Sequence, residues 1–253
     1  MTQVFKAVAE WLEFKKTIVG QSLGFVPTMG ALHSGHLSLM QQSLKENDLT
    51  MVSIFVNPTQ FNDPKDLLKY PRTPEKDLEM IQSMGVPFLL MPEQHELYAE
   101  GYRYQVSENV ESRVLCGAHR PGHFDGVLTV VLKLLNLTQA TRAYFGEKDF
   151  QQLTLIRGMV DAFFIPTQII GCPTLRESDG LAMSSRNVRL NEDQRRLAPE
   201  FFKALKESST PDEARVRLEG HGFEVDYVED RYQRRLSAVR LGEVRLIDNV
   251  AKE

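Results

Sequence analysis

Between residues 23 and 171, short apolar runs rich in β-branched and aromatic residues alternate with longer segments of helical pattern. Leu23–Pro27, Met51–Val56, Pro87–Met91, Arg142–Phe145 and Gln168–Gly171 have the length and composition of strands. The segments between them are long enough for crossover helices, expected over Ser34–Glu46, Pro74–Met84, Gly126–Leu137, Asp149–Phe164 and Asn191–Lys206. This alternation constrains the fold more than any other feature, because strands joined by crossover helices lie parallel, with helices covering both faces. The expected class is α/β, a Rossmann-like parallel sheet with helices on both faces. In such a sheet ligands bind outside the carboxyl ends of the strands.

Past Pro173 the pattern changes. Periodicity is lost until Arg189, and from Asn191 charged helices give way to short strands at Glu224–Glu229 and Glu243–Leu246. Residues 1–173 are therefore expected to form the sheet domain and residues 174–253 a smaller C-terminal α+β domain; 253 residues, 42% hydrophobic, suffice for both cores. The charged stretch Arg231–Arg235 reads as a solvated face.

Thirty basic against 34 acidic side chains give a formal charge of -4, which exerts no global pull on nucleic acid or on an anionic membrane. Any anionic ligand must be held locally. No apolar run reaches membrane-spanning length, and the opening Met1–Lys16 reads as an amphipathic charged helix rather than a signal peptide, so a cytoplasmic protein is expected. Cys116 and Cys172 have no metal-ligand spacing and read as buried thiols.

The segment Gly24–His36 is a strand, a glycine-containing turn and a helix start, a phosphate-binding context: Gly30 and Gly35 permit close approach, and the helix N-terminus favours anions. His33 and His36, three apart, would share a helical face and donate to one phosphate during nucleotidyl transfer. The plainer reading is that one imidazole caps the helix and the other packs. A zinc pair lacks a third ligand, since His119 and His123 belong to a separate loop. Far downstream, Asp179–Asn187 offers Ser184, Ser185 and Arg186 on a polar loop suited to closing over a triphosphate, or equally to plain surface.

His33-Ser34-Gly35-His36 and Met183-Ser184-Ser185-Arg186 resemble the paired signatures of the nucleotidyltransferase superfamily. The chain also contains, in order, Phe25–His33, Phe55-Val56-Asn57-Pro58-Thr59-Gln60-Phe61, Tyr70-Pro71-Arg72-Thr73, Arg120-Pro121-Gly122-His123-Phe124 and Phe145-Gly146-Glu147-Lys148-Asp149-Phe150-Gln151-Gln152. Together these words resemble the pantothenate synthetase family from about residue 24 to 190, and more weakly through Asp226–Glu229 and Arg245–Asp248.

The resemblance implies that pantoate and β-alanine are joined at the expense of ATP, with Mg²⁺, through a pantoyl adenylate. It implies a homodimer without nucleic-acid or membrane partners. His36 would be the catalytic histidine, with His33, Lys148, Ser184, Ser185 and Arg186 beside it. Met29, Gly30, Ala31, Leu32, His33, Ser34, Gly35 and His36 would cradle ATP, as would Gly146, Glu147, Lys148 and Asp149, Leu175, and Met183 through Arg186. Gln60 and Gln152 would hold pantoate, with Asn57 nearby; Asp77 would serve a metal, or simply charge a helix start. Residues 1–173 would bind nucleotide and pantoate, and residues 174–253 would form the lid.

One word departs from the pattern: Leu115-Cys116-Gly117 stands where the family usually has Leu-Glu-Gly, and a thiol does not replace a carboxylate beside Arg120. Rival readings are a nucleotidyltransferase that leaves its nucleotide on the product, which would not need the Gln60–Gln152 pair, and a class I aminoacyl-tRNA synthetase, which would need more length. A catalytically silent nucleotide-binding protein is the third.

Overall fold

The computed structural model describes residues 1–252. Strands β1 (Gln3–Phe5), β2 (Leu23–Thr28), β3 (Leu49–Ile54), β4 (Phe88–Leu90), β5 (Arg142–Gly146) and β6 (Gln168–Cys172) form one sheet in the order β1-β4-β3-β2-β5-β6. Every pairing is parallel. The connections carry helices α1 (Val8–Lys15), α2 (Ser34–Glu46), α3 (Pro64–Leu68), α4 (Pro74–Ser83), α5 (Gln94–Leu97), α6 (Cys116–His119), α7 (His123–Thr138) and α8 (Phe150–Ala162). From β2 the chain steps outward through β3 and β4, then returns to lay β5 on the opposite side of β2. This reversal opens a crevice at the carboxyl ends of β2 and β5, where an open α/β sheet binds its ligands.

Successive strand residues face opposite layers, which is the pleat expressed as packing. Phe25, Met51, Phe88, Leu90, Ala143 and Phe145 join one core with Val127 of α7 and Ile156 of α8. Their neighbours Val26, Val52, Leu89 and Tyr144 join the other with Met40 of α2 and Ile81 of α4. With both faces covered, the strands read as continuous apolar runs rather than alternating ones. At Gly24 an added Cβ would lie 2.1 Å from Ser43 Oγ, so α2 sits closer to β2 than a side chain there would allow.

The remainder holds α9 (Glu192–Leu197), α10 (Pro199–Glu207), α11 (Pro211–Gly220) and the antiparallel strands β7 (Glu224–Arg231), β8 (Arg234–Leu241) and β9 (Val244–Ala251). Phe201, Leu205, Leu218, Val239 and Leu246 build its own core. Tyr227, Leu236 and Ala238 instead join the layer containing α7 and α8, so the small sheet is packed against the large unit.

Three expectations give way. The opening segment is not one helix: Gln3–Phe5 pairs in parallel with Phe88–Leu90, and α1 begins only at Val8. A three-residue strand is too short to show a period beside the helix that buries Trp11. The helix expected over Asn191–Lys206 is two, because Pro199 cannot donate to the first ladder and instead opens α10. Arg231–Arg235 is not a solvated face but the β7–β8 hairpin. Tyr232 and Gln233 hold φ of 56° and 57°, the signs of a two-residue primed turn. Arg235 is 4% exposed, bonded to Asp230 and to the carbonyls of Ser208 and Ser209.

Candidate active site

At the end of β2, Gly30 (φ 76°) and Ala31 (φ 49°) turn the chain back toward α2. Asp77, 1% exposed on the first turn of α4, accepts the N–H groups of Ala31 (2.9 Å) and Leu32 (2.8 Å) and the Thr73 hydroxyl (3.0 Å). A Cβ on residue 30 would sit 2.9 Å from Asp77 Oδ2, so glycine is required twice over, by φ and by space. Through these bonds Asp77 braces the turn. Among the described residues no group of three or more His, Cys, Asp or Glu is arranged to hold a metal ion.

His33 has extended backbone (φ -146°) and caps α2. Its Nδ1 accepts from the Gly35 N–H (3.1 Å), while His36 Nδ1 accepts from the His33 N–H (3.3 Å). The two rings therefore adjoin, centroids 4.1 Å apart, through reciprocal capping rather than a shared helical face. Burial, then the Lys148 charge, lowers His33 to about 4; burial, then His33 and Lys148, lowers His36 to about 3. Both are neutral near pH 7, and with Nδ1 acting as acceptor the proton of each resides on Nε2. Capping and ligand contact are not exclusive, because the tautomer that caps the helix through Nδ1 leaves Nε2–H as a donor.

His33, His36, Met29 and Gly35 form one wall of a cavity of about 230 Å³. Asn57, Gln60, Gly146, Lys148, Asp149, Gln152, Leu175, Met183, Ser184, Ser185 and Arg186 line the rest. Gly30, Ala31, Leu32, Ser34 and Asp77 lie outside the lining: the first three form the turn, Ser34 opens α2 and Asp77 braces the turn. Glu147 also faces elsewhere, 3.6 Å from Arg234.

Asn57 is 1% exposed, and its amide is fully engaged. Nδ2 donates to Gln60 Oε1 (3.0 Å) and the Gly126 carbonyl (3.1 Å), and Oδ1 accepts from Thr59 (3.0 Å) and Tyr98 (2.9 Å). It acts chiefly by aiming Gln60, whose Nε2 meets Met29 Sδ at 3.1 Å. Gln152 enters the cavity from the first turn of α8.

Lys148 follows β5 in a 3₁₀ turn, 3.9 Å from Asp149. Asn249 of β9, 2% exposed, donates through Nδ2 to the carbonyls of Glu147 (2.9 Å) and Lys148 (3.0 Å). The chain leading into Ser184 is a tied hairpin: Arg176 bridges Ala182, and the Met183 N–H bonds to the Leu175 carbonyl (3.0 Å). Arg176 also forks onto Asp248 at 2.6 and 2.9 Å. Asp66 of α3 holds Arg186 (2.9 Å) and Arg189 (2.7 Å), and Tyr70 meets the Ser185 hydroxyl at 3.2 Å. Burial would raise the Asp66 carboxyl, but the two guanidiniums hold it below its ordinary range.

Asp66, Asn249 and Gln151 escaped the sequence reading. The first two meet their partners across 120 and 101 residues, a distance at which no spacing rule operates. Gln151, 4% exposed beside the expected Gln152, accepts from the Cys116 N–H (3.1 Å) and donates to the carbonyls of Glu111 and Val114 (both 2.8 Å). Both cysteines are free and buried. Cys116 Sγ lies 3.1 Å from Tyr227 Oη and 3.6 and 3.7 Å from the Arg245 guanidinium, so the thiol meets Arg245 and Tyr227 rather than Arg120.

The family model described as pantoate-beta-alanine ligase matches residues 1–251. A pantothenate synthetase of Bdellovibrio bacteriovorus is 56% identical over 250 residues, covering 99% of each chain. That of Coxiella burnetii is 48% identical, covering 99% of this chain and 97% of the relative. Among solved structures, a Francisella tularensis pantoate-beta-alanine ligase, complexed with beta-gamma ATP and beta-alanine, superposes with a TM-score of 0.95 at 39% identity. It covers 99% of this chain and 98% of its own. A Thermus thermophilus pantothenate synthetase gives 0.91 at 39% identity, covering 99% of both.

Proposed function

The chain belongs to the pantoate–β-alanine ligase family, and from that premise we propose how its residues divide the work. It is a pantothenate-forming ligase that condenses pantoate with β-alanine and converts ATP to AMP and diphosphate. The observation that carries the assignment of roles is the pair of neutral imidazoles facing Lys148, with Gln60 and Gln152 in the same cavity.

In the first step the pantoate carboxylate attacks the α-phosphorus and diphosphate leaves. Gln60 and Gln152, able to donate and accept, hold the pantoate hydroxyls and carboxylate. His33 and His36 present Nε2–H donors to the α-phosphate oxygens as charge builds, and their low pKa values make them fixed donors rather than acids. The Lys148 ammonium bridges phosphates, and Ser184, Ser185 and Arg186 receive the diphosphate end. In the second step the β-alanine amine attacks the acyl carbon and AMP departs.

The residues present do not make a cage for Mg²⁺, since Asp77 is engaged by the turn; the ion would arrive on the triphosphate oxygens, as this cation commonly does. A cytoplasmic homodimer completes the proposal. No helix of the described residues is long and apolar enough to cross a membrane. Light scattering tests the dimer.

The deciding assay is diphosphate release from ATP and Mg²⁺ with pantoate, with and without β-alanine. Release that requires pantoate, followed by pantothenate and AMP on adding β-alanine, is expected. If pantoate elicits nothing, the assignment fails.

A further inference from the structure

Arg120, following α6, lies where two cavities meet. It lines a basic chamber of about 370 Å³ with Lys148, Arg186 and Arg245, and a recess of about 30 Å³ with Lys148 and Gln152. Its Nη1 lies 2.9 Å from His123 Nε2, and its Nη2 donates to the Gln60 carbonyl at 3.3 Å. His123 Nδ1 is 2.8 Å from that same carbonyl. A carbonyl only accepts, so Nδ1 carries the proton and Nε2 accepts from Arg120. Burial, then Arg120 itself, keeps His123 well below its ordinary pKa, so both partners of the guanidinium are uncharged.

The neighbouring guanidiniums are neutralised. Arg186 has Asp66 at 2.9 Å and Arg245 has Asp226 at 2.7 Å, whereas Arg120 forms no ion pair with any described carboxylate. Burial, followed by Arg186 and Arg245, lowers Arg120 to about 10. Two of its N–H groups are engaged, leaving about three of the five that arginine carries. A partly desolvated cation with free donors and no carboxylate in ion-pair contact costs free energy until an anion completes it.

We propose that Arg120 binds the carboxylate of the amine substrate and thereby selects β-alanine over amines without an acidic tail. This rests on the function given above. The attacking amine must reach an acyl carbon held near Gln60, Gln152 and Lys148, and the substrate's carboxylate then lies two methylenes away. Arg120 is anchored to the Gln60 backbone and shares a recess with Gln152 and Lys148, which makes it the uncommitted cation beside that approach. Lys148 and Arg186 are assigned to phosphates. Arg120 takes part in no bond change; it positions.

The test uses the full-length protein and the variants Arg120→Gln and Arg120→Lys, with single-turnover diphosphate release from ATP and pantoate, the KM for β-alanine, and turnover of β-alaninamide. Losing a charge-assisted hydrogen bond predicts that Arg120→Gln raises the β-alanine KM about 10- to 100-fold while diphosphate release stays within about twofold. The variant should also lose the unmodified enzyme's preference for β-alanine over β-alaninamide. Arg120→Lys should recover part of both. The proposal is overturned if the β-alanine KM is unchanged, if diphosphate release falls in parallel, which would place Arg120 on pantoate or phosphate, or if the unmodified enzyme accepts the amide equally well. Failure of pantoate-dependent release in the unmodified enzyme would instead remove the functional assignment first.

Discussion

The two walls of the central cavity are built on opposite plans. On the His33–His36 side, proposed function and local structure coincide: reciprocal caps over three residues orient both rings, and a single remote carboxylate, Asp77, fixes the turn. On the Lys148 and Ser184–Arg186 side almost nothing is local. Asn249 holds the Lys148 turn, Asp66 and Tyr70 hold the loop, and Asp248 holds its base through Arg176. The first wall needs one remote contact beyond its own sequence word; the second exists only when three distant parts of the chain have docked.

The sharpest way to break this contrast is His36→Asn. The amide oxygen can still accept the His33 N–H, so the cap survives, but the Nε2–H donor is gone. Removing one preorganised donor predicts a fall of about 100- to 1000-fold in pantoate-dependent diphosphate release, with little change in the melting transition. A large stability loss with normal turnover would make the first wall a scaffold only.

Next in size, Asp77→Asn sets an amide N–H against backbone donors it cannot satisfy. A cost of about 1–3 kcal/mol in urea unfolding is expected, with slower adenylation as the turn moves. An unchanged unfolding midpoint would show that the turn stands without its brace.

Asn249→Ala addresses the second wall. It leaves the Glu147 and Lys148 carbonyls without their side-chain donor, predicting about 1–2 kcal/mol of destabilisation and an adenylation loss smaller than that of Lys148→Ala. If adenylation is untouched despite the lost stability, docking of the small sheet does not position Lys148.

The smallest effect is one of pH. His33 and His36 titrate near 6.5 when unfolded but near 4 and 3 in the fold, so the unfolded chain binds more protons between those values. Their contribution is complete above pH 6.5, declines as pH falls toward 4, and levels off below the folded values. Urea midpoints across that window should fall with pH, and fall less steeply when both histidines are replaced by asparagine. Equal slopes would show that the first wall does not hold its imidazoles neutral.

The same contrast explains what could be read in advance. α2 spans Ser34–Glu46 as expected, and strands β2 to β6 lie within about two residues of their expected bounds, because long apolar runs and helical periods are properties of neighbours in sequence. β8 was missed because its turn uses Tyr232 and Gln233, neither of which advertises positive φ, and because the buried Arg235 is indistinguishable in sequence from a solvated one. In the site, the imidazoles, Lys148 and the glutamines were identifiable through motif words, whereas Asp66, Asn249 and the uncompensated Arg120 emerge only from tertiary pairing.

The reciprocal cap at the start of α2 also restricts how this site can vary. Asparagine or serine would cap the helix as well as histidine does, yet their shorter side chains would leave no donor as far out as Nε2–H. The peptide N–H groups of His33 and Gly35 decide which nitrogen of each ring is bare, so the tautomer proposed for catalysis is inherited from the backbone rather than selected by substrate. A redesign that sought a different proton inventory at this wall would first have to refold the helix terminus beneath it.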